Sequence, residues 1–231
     1  MDTQSKHALV LLSGGLDSST LLYYVRREQN PSAVSALSFH YGQRHARELD
    51  CARLQASIVG VAEHIIIDMG FLGGLLANGS SLVTGGQPVP DFASLKPEEL
   101  DQPPTYVPNR NMILLAIAAG CAEARGIQDV YYGAQAMDAY GYWDCTPEFV
   151  DCVNRTLGLN RRSPVTVHAP FTAFRKADTV RLGARMGVDF AATWSCYRGG
   201  DKACGSCPTC VERLAAFREA GLTDPLPYLT R

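Results

Sequence analysis

Short apolar runs rich in β-branched residues alternate along the chain with longer segments whose apolar positions recur at helical spacing. The runs 7–12, 34–39, 64–68, 129–133 and 165–169 read as five strands. Segments 18–27, 43–59, 111–125 and 174–186 read as helices between and after them. In 43–59, Leu49, Leu54, Ile58 and neighbouring alanines share one face, whereas 111–125 is apolar nearly all round, as expected of a helix packed deep against a sheet. Thr146-Pro147-Glu148 opens a further helix with a cap, a proline at the first helical position and an early carboxylate. Strands separated by helices imply crossover connections and a parallel sheet covered on both faces. The expected fold is α/β, a three-layer doubly wound parallel sheet that binds ligands at the carboxyl ends of its strands.

Two irregular stretches interrupt this alternation. Segment 70–108 carries Gly73-Gly74, Gly79-Ser80-Ser81, Gly85-Gly86 and Pro103-Pro104, and its length suits either a lid over a site or a surface loop. Segment 133–145 is shorter and concentrates Tyr, Trp and Asp. There is no internal repeat.

The 231 residues, 46% hydrophobic and 19% charged, suffice for an α/β domain with a sizeable core. A net charge of −2 supplies no long-range field toward nucleic acid or an anionic membrane, so neither is an expected partner. The longest apolar stretch, 112–119, is too short for a bilayer, and the first six residues have no apolar signal core. The expected location is the cytoplasm.

Directly after the first apolar run comes Ser13-Gly14-Gly15-Leu16-Asp17-Ser18-Ser19. Paired glycines let backbone N–H groups close around an anion, the following helix aims its positive end at the same spot, and three serines add donors. No lysine ends the loop, so it is not a Walker A motif. The loop suits the pyrophosphate part of ATP; read plainly, it is a strand-to-helix turn capped by Asp17 or Ser18.

The eight cysteines are unevenly placed. Cys51, Cys121, Cys145 and Cys152 are scattered and read as small core residues. Cys196, Cys204, Cys207 and Cys210 crowd together with Cys-x-x-Cys-x-x-Cys spacing, helped round by Gly205 and Pro208, ahead of a helix at 210–220. Four thiolates suit a closed structural Zn²⁺ site; an iron–sulfur cluster and a redox pair remain open.

The Ser-Gly-Gly-x-Asp-Ser pattern resembles the PP-loop of the N-type ATP pyrophosphatases, enzymes of the adenine nucleotide alpha hydrolase-like fold. Four further stretches narrow the resemblance: Ser38-Phe39-His40-Tyr41-Gly42-Gln43-Arg44-His45, Val107-Pro108-Asn109-Arg110-Asn111, Asp144-Cys145-Thr146-Pro147-Glu148-Phe149, and Thr193-Trp194-Ser195-Cys196 with its cysteine cluster. In this order they resemble the 7-cyano-7-deazaguanine synthase (QueC) family over nearly the whole chain. The resemblance implies a carbon–nitrogen ligase that converts 7-carboxy-7-deazaguanine and ammonia to the nitrile through adenylated carboxylate and amide, with ATP, Mg²⁺ and structural Zn²⁺. It implies a PP-loop domain at 1–190, a zinc-binding segment at 191–231 packed with it, and a homodimer.

Residue roles follow from the same resemblance. Leu12, Ser13, Gly14, Gly15, Leu16, Asp17, Ser18, Ser19, Thr20, Leu21 and Leu22 would contact or support ATP. Asp17 would sit near Mg²⁺ or else cap its helix, and Arg44 and Arg110 would counter phosphate charge. Tyr41, Gln43, His45, Asp138 and Asp144 would shape the substrate site, and Cys196, Cys204, Cys207 and Cys210 would hold the metal. Lys176 could meet phosphate, but reads more simply as covering the first turn of its helix. Gln135, Ala139-Tyr140, Trp143 and Thr146 depart from the usual family pattern beside the base pocket, which leaves open an adenylating enzyme with another acceptor. A zinc-bearing nucleic-acid module is a third reading, supported by the cysteines alone.

Overall fold

The computed structural model describes residues 7–43, 47–76, 79–99, 103–135 and 142–230. Five strands, β1 (His7–Leu11), β2 (Ala33–His40), β3 (Glu63–Asp68), β4 (Asp129–Tyr131) and β5 (Thr166–His168), form one sheet in the order β3-β2-β1-β4-β5. Every pairing is parallel, and Leu9 at the centre lies level with Ser35 on one side and Val130 on the other. Successive side chains of β1 therefore feed two separate cores. Ala8 and Val10 pack with Leu21, Leu22, Val180 and Phe217 on one face, and Leu9 packs with Leu115, Ala118, Val150 and Val167 on the other.

The described residues form seven α-helices: α1 (Leu16–Tyr24), α2 (Arg47–Val59), α3 (Phe71–Leu76), α4 (Arg110–Ala124), α5 (Pro147–Leu157), α6 (Lys176–Arg185) and α7 (Pro208–Glu219). Helices α1, α2, α6 and α7 contribute to the first core, α4 and α5 to the second. Each fully buried leucine at these contacts contributes about 2 kcal/mol. The three-layer architecture is thus the one the alternation predicts. No helix among the described residues is long and apolar enough to cross a membrane.

Several boundaries differ from the sequence pattern, each for a local reason. Helix α1 starts at Leu16 with Gly15 as its extended N-cap, so neither Asp17 nor Ser18 is the cap. Helix α2 starts at Arg47 rather than 43. Gln43 instead stitches the end of β2: its amide oxygen accepts from Tyr41 N at 2.7 Å and its amide nitrogen donates to Phe39 O at 3.1 Å. Helix α5 starts as expected, with Thr146 Oγ1 accepting from Phe149 N at 3.2 Å.

Among its described residues, the 70–108 stretch includes α3 and the single turns Phe92–Ser94 and Pro97–Glu99. It is strapped to the protein by Thr84 N to Gly42 O at 2.8 Å and Phe92 N to Ser206 O at 2.9 Å. Leu82, Val89 and Val107 from this strap form a third core with Trp194, Leu226 and the four clustered cysteines.

Candidate active site

A cleft of about 290 Å³ opens at the carboxyl ends of β1, β2 and β4, where the connections leave the sheet in opposite directions. The glycine loop is its floor. Gly14 has φ +86°, and a Cβ there would collide with Glu48 O and lie 2.6 Å from Ala52 N of α2. Only glycine permits both that backbone conformation and that approach. The Gly14 carbonyl accepts from Trp194 N at 3.0 Å. Above it, Ser18 Oγ accepts from Ser13 N at 3.1 Å and meets Ser13 Oγ at 2.9 Å, and Ser13 Oγ accepts from Gly15 N at 3.2 Å. The loop is shaped by its own hydroxyls, beside the positive end of α1.

Leu12, Ser13, Gly15, Leu16, Asp17 and Ser18 line the cleft, as do Tyr41, Gln43 and Arg110. Gly14 is turned toward α2. Ser19, Thr20, Leu21 and Leu22 are fully buried beneath the loop, where Thr20 Oγ1 donates to Leu16 O and the two leucines join the core; these four support the loop and do not line the cleft. Arg44, His45 and Asp138 lie outside the described residues. Asp144 stands behind the wall of the cleft. Its carboxylate accepts from Asn111 N at 3.4 Å in the first turn of α4, and its carbonyl accepts from Asn111 Nδ2 at 3.2 Å. The expected base contact is, at this residue, an anchor for α4.

Three charged residues of the cleft had no periodic or motif signal. Lys176 does not merely cover its own helix: its ammonium reaches across to Asp17 Oδ2 at 2.9 Å. Glu48 from α2 and Glu212 from α7 also line the cleft. Arg110 is enclosed with three tyrosines. Burial works against its charge, but the Tyr41 and Tyr197 oxygens and a hydrogen bond with Tyr41 outweigh it, and its pKa is raised. Burial pushes Tyr41 up as well, against the pull of Arg110. Glu48 keeps a narrow opening to solvent yet is surrounded by protein. Burial raises its pKa to about 7, opposed by Arg110 and reinforced by Cys196.

Beside the cleft, the sulfurs of Cys196, Cys204, Cys207 and Cys210 all lie within 4.8 Å of one another and are buried. Cys204 and Cys210 sulfurs are 3.9 Å apart. A tetrahedron with bonds of about 2.3 Å has edges of roughly 3.8 Å, so the ligand set fits a zinc ion. Backbone N–H groups of Cys204 and Cys207 point at the sulfurs of Cys196 and Cys204, at 3.4 and 3.3 Å, which favours thiolate. Cys207 is also the N-cap of α7.

A family profile described as queuosine biosynthesis protein QueC matches residues 7–221. The chain is 44% identical over 226 residues to the 7-cyano-7-deazaguanine synthase of Oceanobacillus iheyensis, covering 97% of this chain and 99% of that protein. It is 46% identical over 220 residues to the enzyme of the same name from Archaeoglobus fulgidus, covering 95% and 89%. Among solved structures, the U34-tRNA thiolase NcsA from Methanococcus maripaludis, with its 4Fe-4S cluster, aligns with a TM-score of 0.52 at 13% identity, over 85% of this chain and 62% of that one; the likeness is of fold alone.

Proposed function

Because the chain belongs to the QueC family of queuosine biosynthesis proteins, an enzyme family, we propose that it converts 7-carboxy-7-deazaguanine and ammonia to 7-cyano-7-deazaguanine at the expense of ATP. One observation carries the reading beyond family membership. A single cleft joins a hydroxyl-lined glycine loop at a helix N-terminus to two cations, Lys176 and Arg110, at the carboxyl edge of the sheet.

The chemistry asks for leaving-group activation twice, since neither a carboxylate oxygen nor an amide oxygen departs unaided. A substrate carboxylate oxygen attacks the α-phosphorus of ATP and pyrophosphate leaves. Ammonia then attacks the acyl carbon, AMP departs and an amide forms. In the second round the amide oxygen attacks the α-phosphorus of a second ATP and pyrophosphate leaves, and loss of AMP and protons from the adenylated amide leaves the nitrile. The chain's own part is positional and electrostatic. Ser13, Gly15, Ser18 and the end of α1 would hold the phosphates, and Lys176 would meet the charge that grows on departing pyrophosphate. Arg110, enclosed by tyrosines, would hold the substrate carboxylate for attack.

Mg²⁺ fits beside this loop. Asp17 Oδ1 is buried with no hydrogen-bond partner among the described residues, and it would hold the ion together with phosphate oxygens. Bound there, the ion would offset charge on the leaving pyrophosphate. The four cysteines would hold Zn²⁺ in a closed structural site that fixes the start of α7.

The test is mass spectrometry of the products from purified protein given ATP, Mg²⁺, ammonia and 7-carboxy-7-deazaguanine, with AMP counted in the same samples. Nitrile accompanied by two AMP per molecule is expected. AMP release without nitrile would sink the reading in favour of another acceptor.

A further inference from the structure

Residues 193–196 run between the glycine loop and the four-cysteine cluster and touch both. On one side, Trp194 N donates to Gly14 O at 3.0 Å, and a Cβ on Gly15 would lie 3.5 Å from Trp194 O. Trp194 and Ser195 line the cleft together with Ser13 and Gly15. On the other side, Cys196 is one of the four clustered thiols. The indole ties this short span together: Trp194 Nε1 donates to Cys196 O at 3.1 Å. Gly199 N reaches the same carbonyl at 3.4 Å, a longer contact. Trp194 thus uses two separate N–H donors, one toward each loop.

The surroundings hold the span from both sides. The indole is fully buried and belongs to the same core as Cys196, Cys207 and Cys210. Arg47 of α2 lies over its ring, 4.1 Å from the centroid, and donates to Gly200 O at 2.7 Å. The next turn of α2 meets the glycine loop, where Glu48 O and Ala52 N leave no room for a Cβ on Gly14. From α7, Arg213 donates to Thr193 Oγ1 at 2.8 Å and to Ser195 Oγ at 3.2 Å. A shift of either loop against the other would break a bond at Trp194.

We propose that Trp194 is a positioning residue that couples the metal site to the nucleotide site, its main-chain N–H holding Gly14 and its indole N–H holding Cys196, so that filling either site orders the span the other needs. The coupling rests on the reading of the glycine loop as a nucleotide site. An ion held by Cys196 fixes that residue and, through the indole bond, Trp194, so the Gly14 carbonyl meets an N–H already in place. Phosphates on the glycine loop fix Gly14 and act back along the same two bonds. The loss of conformational freedom in 193–196 is incurred once, by whichever ligand binds first, and the second binds more tightly. Such linkage is reciprocal: metal raises nucleotide affinity by the factor by which nucleotide raises metal affinity.

The experiment sets the zinc-loaded protein in competition with a chromophoric chelator, in Mg²⁺ buffer, with and without a saturating non-hydrolysable ATP analogue. Binding of the analogue is measured by calorimetry alongside. Wild type should hold zinc at least about fivefold more tightly when the analogue is bound. Trp194→Phe keeps an aromatic ring and the main-chain N–H but loses the indole donor. It should bind zinc and the analogue, and the effect of one on the other should fall below about twofold. A nucleotide that merely stabilised the whole fold would protect the metal equally in both proteins. Should Trp194→Phe not fold, Arg47→Met, which releases the indole face and Gly200 O, should lose the effect in part. Wild type that binds the analogue with no change in zinc affinity, or a folded variant that keeps the full effect, overturns the coupling alone. Wild type that does not bind the analogue overturns the nucleotide reading along with it.

Discussion

The ammonium of Lys176 lies 2.9 Å from a carboxylate oxygen of Asp17, joining the first turn of α6 to the first turn of α1 across the phosphate end of the cleft. Both side chains are about three-quarters shielded, at 21% and 26% exposure. In the proposed function, an arriving triphosphate would offer the lysine a stronger partner than the aspartate does, and would free Asp17 for a cation. Lys176→Met should therefore cut kcat/KM for ATP by about 10²-fold while costing no more than about 1 kcal/mol of stability. Asp17→Asn should fold and lose pyrophosphate release. Steady-state kinetics and thermal melts decide both; unchanged turnover in Asp17→Asn would remove that residue from the site.

The cysteine cluster makes a separate prediction. Cys207 supplies a sulfur and also starts α7, so Cys207→Ala removes a ligand and disturbs the helix that carries Cys210. Three remaining thiolates cannot close a tetrahedral shell. The variant should lose its metal by elemental analysis and melt well below wild type. Full metal content with an unshifted melt would contradict the ligand set.

Arg213 and Asp224 form a buried, two-pronged ion pair, at 2.7 and 3.0 Å, with side chains only 2% and 1% exposed. Arg213 also donates to Thr193 Oγ1 and Phe190 O, and Tyr228 donates to Asp224. Removing one partner strands a buried charge. Asp224→Asn and Arg213→Met should each cost about 3–5 kcal/mol in denaturant unfolding. Replacing both together should cost less than the sum of the single changes, a deviation that a double-mutant cycle measures directly.

Glu48 sets a pH dependence. Its carboxyl has an ordinary value of 4.5 and is raised to about 7 in the folded protein. Between these values the native state binds a proton that the unfolded chain has released, so stability from this group is complete below 4.5 and falls as pH rises to about 7. Glu48→Gln stays neutral throughout. Its melting temperature relative to wild type should climb across that window and level off above it, in melts at matched ionic strength.

Much of this molecule is legible in its hydrophobic pattern, because parallel strands buried on both faces read as continuous apolar runs. The glycine loop is legible too, since only glycine fits at Gly14. What the pattern does not carry is where long polar side chains reach. Lys176 is an ordinary first-turn lysine until α6 is set beside α1. Glu48 and Glu212 sit on helices whose inward faces are marked by alanines and cysteines, and nothing in their spacing says that the remaining face borders a cleft. Asp144 shows the converse: a carboxylate in an aromatic loop reads as a ligand for a base, yet it accepts from the backbone N–H of Asn111 in the first turn of a neighbouring helix. Burial of a short polar side chain depends on tertiary packing that no local window contains.

The bond from Trp194 N to the Gly14 carbonyl ties the glycine loop to a residue 180 positions further along the chain. Among the described residues the sheet has no hairpin: the neighbours β1/β2, β2/β3 and β4/β5 are joined by crossovers, and β1 meets β4 only after β2 and β3 have been added on the other side. Loop closure over such distances is slow compared with helix formation. During refolding, far-ultraviolet dichroism should accordingly recover before the indole of Trp194 is shielded, and catalytic competence should return with the indole rather than with the helices.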